Sequence, residues 1–445
     1  MCILTSGDHT IEKISIIMPG SLALVTTENL PYSPRPCAGG GVRISGLGDV
    51  LKQSGVDCTY WLLEDWRGSL DPRFDFPVEF YRPEQLHQLL NGSNHDAVLF
   101  EQWQPLTYLK EPLKIPVIVD LPGPLMMEYH WRDPDNYLQH MTDKLFCLAQ
   151  ADYAVCADER QRGYYSAWLS WAGWDPSENR LRVAPFCMRE MPKSRQGHVE
   201  DEPLFLWGGM FWPWHDRRAA FQCVVDALQK ADRGQLAIVG ANGDEESLGP
   251  FYQSYAQHNR VSWLGQYAFT DYVTELKRSA VALDLSAPTE ERRLSSDLRT
   301  GTALWAGTPC IVTPESAWAR MIEQHNAGWV VSNGDHKQLS SIVAQLALER
   351  CDLVAKRRGA SAASVEISQE SRIKPLLDLL ESPTKRPANS PLLSSRDQDR
   401  EQRLLDLQES VFQLQHENEC LKHDLESIRK NPLFRLYKNL IGLLK

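Results

Sequence analysis

The chain has 445 residues, a 42% hydrophobic fraction and a formal net charge of −11. That length provides for two or three domains with ordinary cores, and the acidic balance argues against non-specific nucleic-acid binding as a main task. Ten cysteines lie scattered without CxxC pairs in a chain far too long for a disulfide mini-scaffold, which favours a reducing compartment.

Asp8, His9, Glu12 and Lys13 interrupt any apolar signal-peptide core at the start, and no later run reaches transmembrane length. A cytoplasmic protein is expected. Strands and helices then alternate: a strand at 13–18, a loop at Gly39, Gly40 and Gly41, a helix through Val50, and a strand at 59–63. Further strands are expected at 97–100, 116–120, 153–156 and 181–183. Such alternation implies a parallel sheet, which assigns 12–190 to one Rossmann-like domain.

The polar stretch 191–203 breaks the pattern and reads as an interdomain linker. Beyond it come a strand at 204–207, a helix at 217–230, strands at 235–239 and 261–264, a helix at 271–279, and strands at 281–285 and 310–312. The expected class is α/β, with a second Rossmann-like domain at 203–375 and a central cleft between the two. The aromatics from Trp207 to Trp214 read as core packing. His130 and His215 read as structural histidines, Asp133-Pro134-Asp135 reads as a turn, and no spacing builds a metal site.

The stretch from Leu283 to Val312 carries the most chemistry. A buried strand ends at Ser286, Ala287 and Pro288, and Ser295-Ser296-Asp297 offers N-cap chemistry to a following helix. Arg292, Arg293 and Arg299 add positive charge beside first-turn N–H groups, an arrangement suited to an anion. Gly307 and Pro309 close that helix before the next strand.

From Glu381 the composition changes, and 381–402 reads as a linker rich in Pro, Ser and charge. Leu404, Leu407, Val411, Leu414, Asn418, Leu421, Leu425 and Ile428 then alternate three and four apart, predicting a coiled coil at 403–429 with Asn418 at an a position. Parallel homodimerisation, or pairing with another coiled-coil partner, is the expectation. Asn431-Pro432 ends that helix, and 431–445 forms a basic amphipathic tail suited to an anionic membrane surface, each nearby cation adding about 1 kcal/mol. Localisation is therefore expected to be cytoplasmic and peripheral to the inner face of the membrane.

Three motifs in order give the chain a resemblance: Pro36-Cys-Ala-Gly39-Gly40-Gly41-Val-Arg43, Leu204-Phe-Leu-Trp-Gly208-Gly209-Met-Phe-Trp-Pro-Trp-His-Asp216, and Leu304-Trp-Ala-Gly-Thr-Pro309 behind its acidic, Arg-containing loop. From residue 12 to about 375 they resemble GT-B glycosyltransferases of the family-four type, found in bacterial surface-polysaccharide assembly. The resemblance implies a nucleotide-sugar donor, no required metal, a lipid-linked or polysaccharide acceptor and retention of configuration. It makes 12–190 the acceptor domain and 203–375 the donor domain.

On that resemblance, Gly39, Gly40, Gly41, Gly208, Gly209, Arg293 and Arg299 hold the donor diphosphate, and Arg43 faces the same charge. Glu290 is the carboxylate for the donor sugar or ribose, while Asp120 and Glu128 contact acceptor or sugar. The family's Arg and Lys after the first donor-domain strand are replaced by Met210 and His215-Asp216-Arg217-Arg218, and its paired glutamates eight apart are missing, since Leu298 follows Glu290 at that spacing. Those departures favour one alternative, a catalytically inactive dimeric scaffold recruiting partners to the membrane; a GT-B-like sugar-nucleotide epimerase would share the two-domain cleft and the nucleotide but has no need of a basic membrane tail.

Overall fold

In a computed structural model, residues 20–72, 74–190, 202–212, 214–349 and 352–387 are described. The expected strand at 13–18, the coiled coil, the amphipathic tail and most of both linkers lie outside those residues.

In chain order the first half contains β1 (Ser21–Thr26), α1 (Gly39–Gln53), β2 (Asp57–Leu63), β3 (Val78–Tyr81), α2 (Pro83–Asn91), β4 (Ala97–Glu101), β5 (Val117–Leu121), α3 (Leu125–Arg132), α4 (Tyr137–Gln150), β6 (Tyr153–Cys156), α5 (Arg162–Trp171) and β7 (Leu181–Val183). All pairings are parallel, in the order β3-β2-β1-β4-β5-β6-β7. β1, with Leu22, Ala23, Leu24 and Val25 buried on both faces, is an interior strand, and its apolar run shows no alternation.

The second half contains β8 (Leu204–Gly208), α6 (Arg218–Ala231), β9 (Gln235–Val239), α7 (Gly249–Gln253), β10 (Val261–Gly265), α8 (Phe269–Arg278), β11 (Val281–Asp284), α9 (Glu290–Leu294), α10 (Leu298–Trp305), β12 (Cys310–Val312), α11 (Ala319–Gln324), β13 (Gly328–Val330), α12 (His336–Leu348), α13 (Leu353–Ile367) and α14 (Lys374–Leu380). Its sheet is parallel too, in the order β10-β9-β8-β11-β12-β13. Both sheets reverse direction of growth beside their first strand, at β1/β4 and at β8/β11. Open α/β sheets bind ligands at the carboxyl ends of strands at such a reversal.

The glycine triplet is a helix start, not a loop. α1 begins at Gly39 because the turn lies too close to its surroundings for side chains: a β-carbon on Gly40 would overlap the Glu101 carboxylate, and one on Gly41 the Asn29 carbonyl. The two domains share apolar packing, since Val42 of α1 and Phe186 and Met188 beyond β7 cluster with Leu304, Trp305 and Trp318.

The chain also returns to its first domain. Ile373, Leu376, Leu379 and Leu380 complete the core around β1 and α1. Lys385 and Arg386 then hydrogen-bond the Asp152 carboxylate, at 2.8 and 2.6 Å, so the expected linker begins with an anchored segment.

Candidate active-site cleft

α1 and α10 bring their N-termini together between the domains, and a β-carbon on Gly39 would come 3.0 Å from Leu298 Cδ1. Neither terminus carries a side-chain cap. Ala38 precedes α1, and the Asp297 carboxylate at the start of α10 turns away to accept from the Ala317 N–H at 3.0 Å and from Arg292. The N-cap role expected of Asp297 is thus not filled. Uncapped first-turn N–H groups carry partial positive charge and need an acceptor.

Gly209 fixes the donor-side geometry. At φ +85° it adopts a backbone that disfavours any side chain, and a β-carbon there would sit 2.5 Å from Arg299 Cδ. Gly208, just before it, abuts the Tyr272 ring. The glycines let Arg299 lie across the strand end, where its Nη2 reaches Asp284 Oδ1 at 3.4 Å. Flanking positive charge from Arg299, Arg292 and Arg217 outweighs burial and holds the Asp284 carboxyl down at about 2.

Beside Arg299 lies a charged cluster, His215, Arg217, Glu291 and Arg292, that the sequence alone does not assemble. Arg217 is 1% exposed and, among the described residues, bonds only His215, Nη2 to Nδ1 at 3.1 Å, leaving Nε and Nη1 without partners. Burial and the neighbouring Arg299 both work against its charge. A guanidinium stays protonated in proteins, and this one lies over the Phe211 and Trp207 rings, at 4.8 and 5.8 Å from their centroids, with no carboxylate among the described residues bonded to it. Burial and three arginines keep the His215 imidazole neutral. The signal was present in His215-Asp216-Arg217-Arg218, but nothing in it says which arginine turns inward.

The two acidic and two basic residues of α9 are divided by its helical face. Glu290 and Arg293 are exposed and paired with each other at 2.9 Å, whereas Glu291 and Arg292 are buried against the cluster. Glu290 and Arg293, the residues expected from sequence to meet the donor, both turn to solvent. Glu291 lies 3.5 Å from His215 Nε2, and burial raises its carboxyl to about 7. Burial opposes the charge on Arg292, but Asp297 and Asp284 outweigh it and raise that group.

Arg43 and Asp120 meet each other rather than the cleft. Nε and Nη2 of Arg43 donate to the two Asp120 oxygens at 3.0 Å each, both side chains are fully buried, and Nη2 also donates to the Ala184 carbonyl at 2.6 Å. The pair ties α1 to the ends of β5 and β7. Nη1 of Arg43 is left without a hydrogen-bond partner among the described residues.

On the first-domain wall, Glu101 ends β4 beside Gly40 and accepts from Thr26 at 3.3 Å, with its carboxyl raised to about 8 by burial and by Glu28 and Asp120. Glu128, on α3, is likewise raised by burial and senses Arg292 and Glu291 across the cleft. Arg132 lies 5.3 Å from the Trp212 ring centroid, a cation–π contact joining the two domains. Among the described residues no group of three His, Cys, Asp or Glu is placed to hold a metal, and no helix is long and apolar enough to cross a membrane.

Residues 202–349 match the family model described as glycosyl transferases group 1. That match lies within the second domain. Sucrose-phosphate synthase from Thermosynechococcus elongatus is 15% identical over 81% of this chain and 98% of its own, with a TM-score of 0.53. Anabaena HepE, solved with UDP and glucose, is 14% identical over 81% and 99%, at 0.54. An α-glucosyltransferase solved with UDP-glucose and DNA is 13% identical over 82% and 100%, at 0.57. These likenesses show the two-domain GT-B fold. A comparison with curated proteins finds no match.

Proposed function

We propose that this chain transfers a hexosyl group from a nucleoside-diphosphate sugar to a hydroxyl of a lipid-linked or polysaccharide acceptor, with retention of configuration. The observation that carries the reading is the positive potential in the cleft: two helix N-termini without side-chain caps come close together, with Arg299 and Arg217, which has no carboxylate partner among the described residues, on the donor side. The likeness to HepE, solved with UDP and glucose, supports the choice of donor.

When the glycosidic bond to the diphosphate breaks, negative charge grows on the leaving phosphates. Fixed N–H dipoles and guanidinium groups stabilise that charge without having to reorganise. Arg217 and Arg299 are assigned to the diphosphate, with the first turns of α1 and α10. Gly208 and Gly209 keep the strand end open. Arg43 and Asp120 act indirectly, by holding α1 in place. Glu291 takes the sugar-facing role first given to Glu290, and Glu128 contacts the acceptor from the other wall. Dimerisation through 404–428 and membrane contact through 431–445 complete the proposal, because two weak anchors on one dimer bind a surface far better than one.

Calorimetry of the full chain with nucleoside diphosphates and their sugar conjugates tests it. Binding that falls about tenfold or more in Arg299→Ala and in Arg217→Met is expected, a loss of roughly 1.4 kcal/mol or more. Absence of binding by every nucleotide transfers the weight to the inactive scaffold. Proton NMR of the released product reads the anomeric configuration and separates transfer from epimerisation.

A further inference from the structure

A cavity of about 690 Å³, whose lining includes none of the cluster just described, is lined by both domains. Glu159, Arg162 and Arg182 line it from the first domain, and His325, Glu366 and Arg372 from the second domain and the returning chain. Pro185 and Gln369 also line it, so the cavity touches the chain where it leaves the first domain and where it comes back.

The charges in this cavity are unevenly satisfied. Glu159 is held bidentately by Arg162, at 2.7 and 2.9 Å. Glu366 is shared by His325 at 2.8 Å and Arg372 at 3.5 Å. Arg182 has no carboxylate partner among the described residues and donates only to the Asn179 backbone carbonyl. In a chain of net charge −11, a cavity where arginines outnumber carboxylates, and where both carboxylates are taken, runs against the overall field. Val183 and Pro185 add apolar surface to its lining, and the exposed Val365 adds more at the edge.

Arg372 gives the cavity mechanical reach. Its Nε donates to the Phe186 carbonyl at 3.0 Å, and the Phe186 ring packs edge-on against Trp318 at 5.8 Å. One guanidinium thus links the outgoing and the returning segments of chain.

We propose that this cavity is a ligand site separate from the cleft, for a small phosphate-bearing molecule held by Arg182 and Arg372, and that its occupancy couples to opening of the cleft through the Arg372–Phe186 link. The planar guanidinium donors match a phosphate dianion, and the apolar part of the lining suits a short carbon skeleton. The ligand site itself does not depend on the sugar-transfer reading. Its coupling to the cleft is measured with whichever nucleotide binds there.

The probe is inorganic phosphate, titrated calorimetrically into the full chain at constant ionic strength, with chloride as control. Phosphate also suits the cleft, so Arg182→Ser and Arg299→Ala are compared. Arg182 sits at the cavity rim, and circular dichroism checks that the variant is folded. The expected result is a phosphate site that survives Arg299→Ala, weakens about tenfold or more in Arg182→Ser, and shifts nucleotide affinity at least about threefold when filled. Phosphate binding of the same affinity and stoichiometry in Arg182→Ser overturns the site. Complete loss in Arg299→Ala alone assigns the binding to the cleft and also overturns it. A phosphate site that leaves nucleotide affinity unchanged overturns the coupling.

Discussion

Glu291 and His215 face each other at 3.5 Å, 9% and 7% exposed, while the adjacent Glu290 points out to Arg293. A single step along a five-residue helix therefore separates a carboxylate in the cleft from one in solvent. Glu291→Gln is expected to lower affinity for the sugar nucleotide about tenfold, and Glu290→Gln to leave it within about twofold, as measured by calorimetry. The reverse ranking would restore the assignment made from sequence.

The Arg43–Asp120 pair should behave as a structural joint. Removing one partner of a buried ion pair leaves the other uncompensated, so Arg43→Met is expected to cost about 3–5 kcal/mol in urea unfolding. Arg43→Met combined with Asp120→Leu should recover much of that loss. A stable Arg43→Met protein with abolished nucleotide binding would instead make Arg43 a direct ligand.

Gly209→Ala tests the donor-side geometry. The new methyl must displace Arg299, and the residue must hold φ +85° without being glycine. Thermal shift with the nucleoside diphosphate is expected to shrink strongly, whereas Gly68→Ala, also at positive φ but with open space around it, should leave the ligand response intact.

Glu101 predicts a pH dependence. Its carboxyl, ordinarily near 4.5, is raised to about 8 in the folded chain, so between those values the native state holds a proton that the unfolded state has lost. Stability contributed in this way is complete below about 4.5 and disappears as pH climbs through 8. Glu101→Gln should flatten the fall in stability between about pH 5 and 8 by an amount on the order of a few kcal/mol, read from urea midpoints. An unchanged slope would assign the fall to other groups.

The tail carries its own test, on residues outside those described. Deleting 431–445 should release the protein from anionic vesicles in co-sedimentation. Deleting 404–428 should abolish dimerisation in analytical ultracentrifugation, and a dimer that persists would locate the interface elsewhere.

The sequence alone was enough for the alternation of strands and helices and for two parallel sheets. Strands such as Gln235–Val239 and Tyr153–Cys156 matched to the residue, because a short apolar run between turn formers has few other fates. Gly307 at φ +76° closes α10 in the expected way. Ser21–Thr26, an interior strand, is as short and apolar as these, but the neighbouring apolar stretch at 13–18 competes with it for the first strand of the pattern.

Tertiary structure decided everything that depends on which side chain points where. Local pattern identifies charged residues but does not pair them. Arg43 found Asp120 seventy-seven positions away, Arg217 was left without a carboxylate, and α9 sent Glu291 inward and Glu290 outward. Those outcomes follow from how two sheets and their helices meet. The free energy of a buried charge is set by neighbours that are distant in sequence, and only the folded chain brings them together.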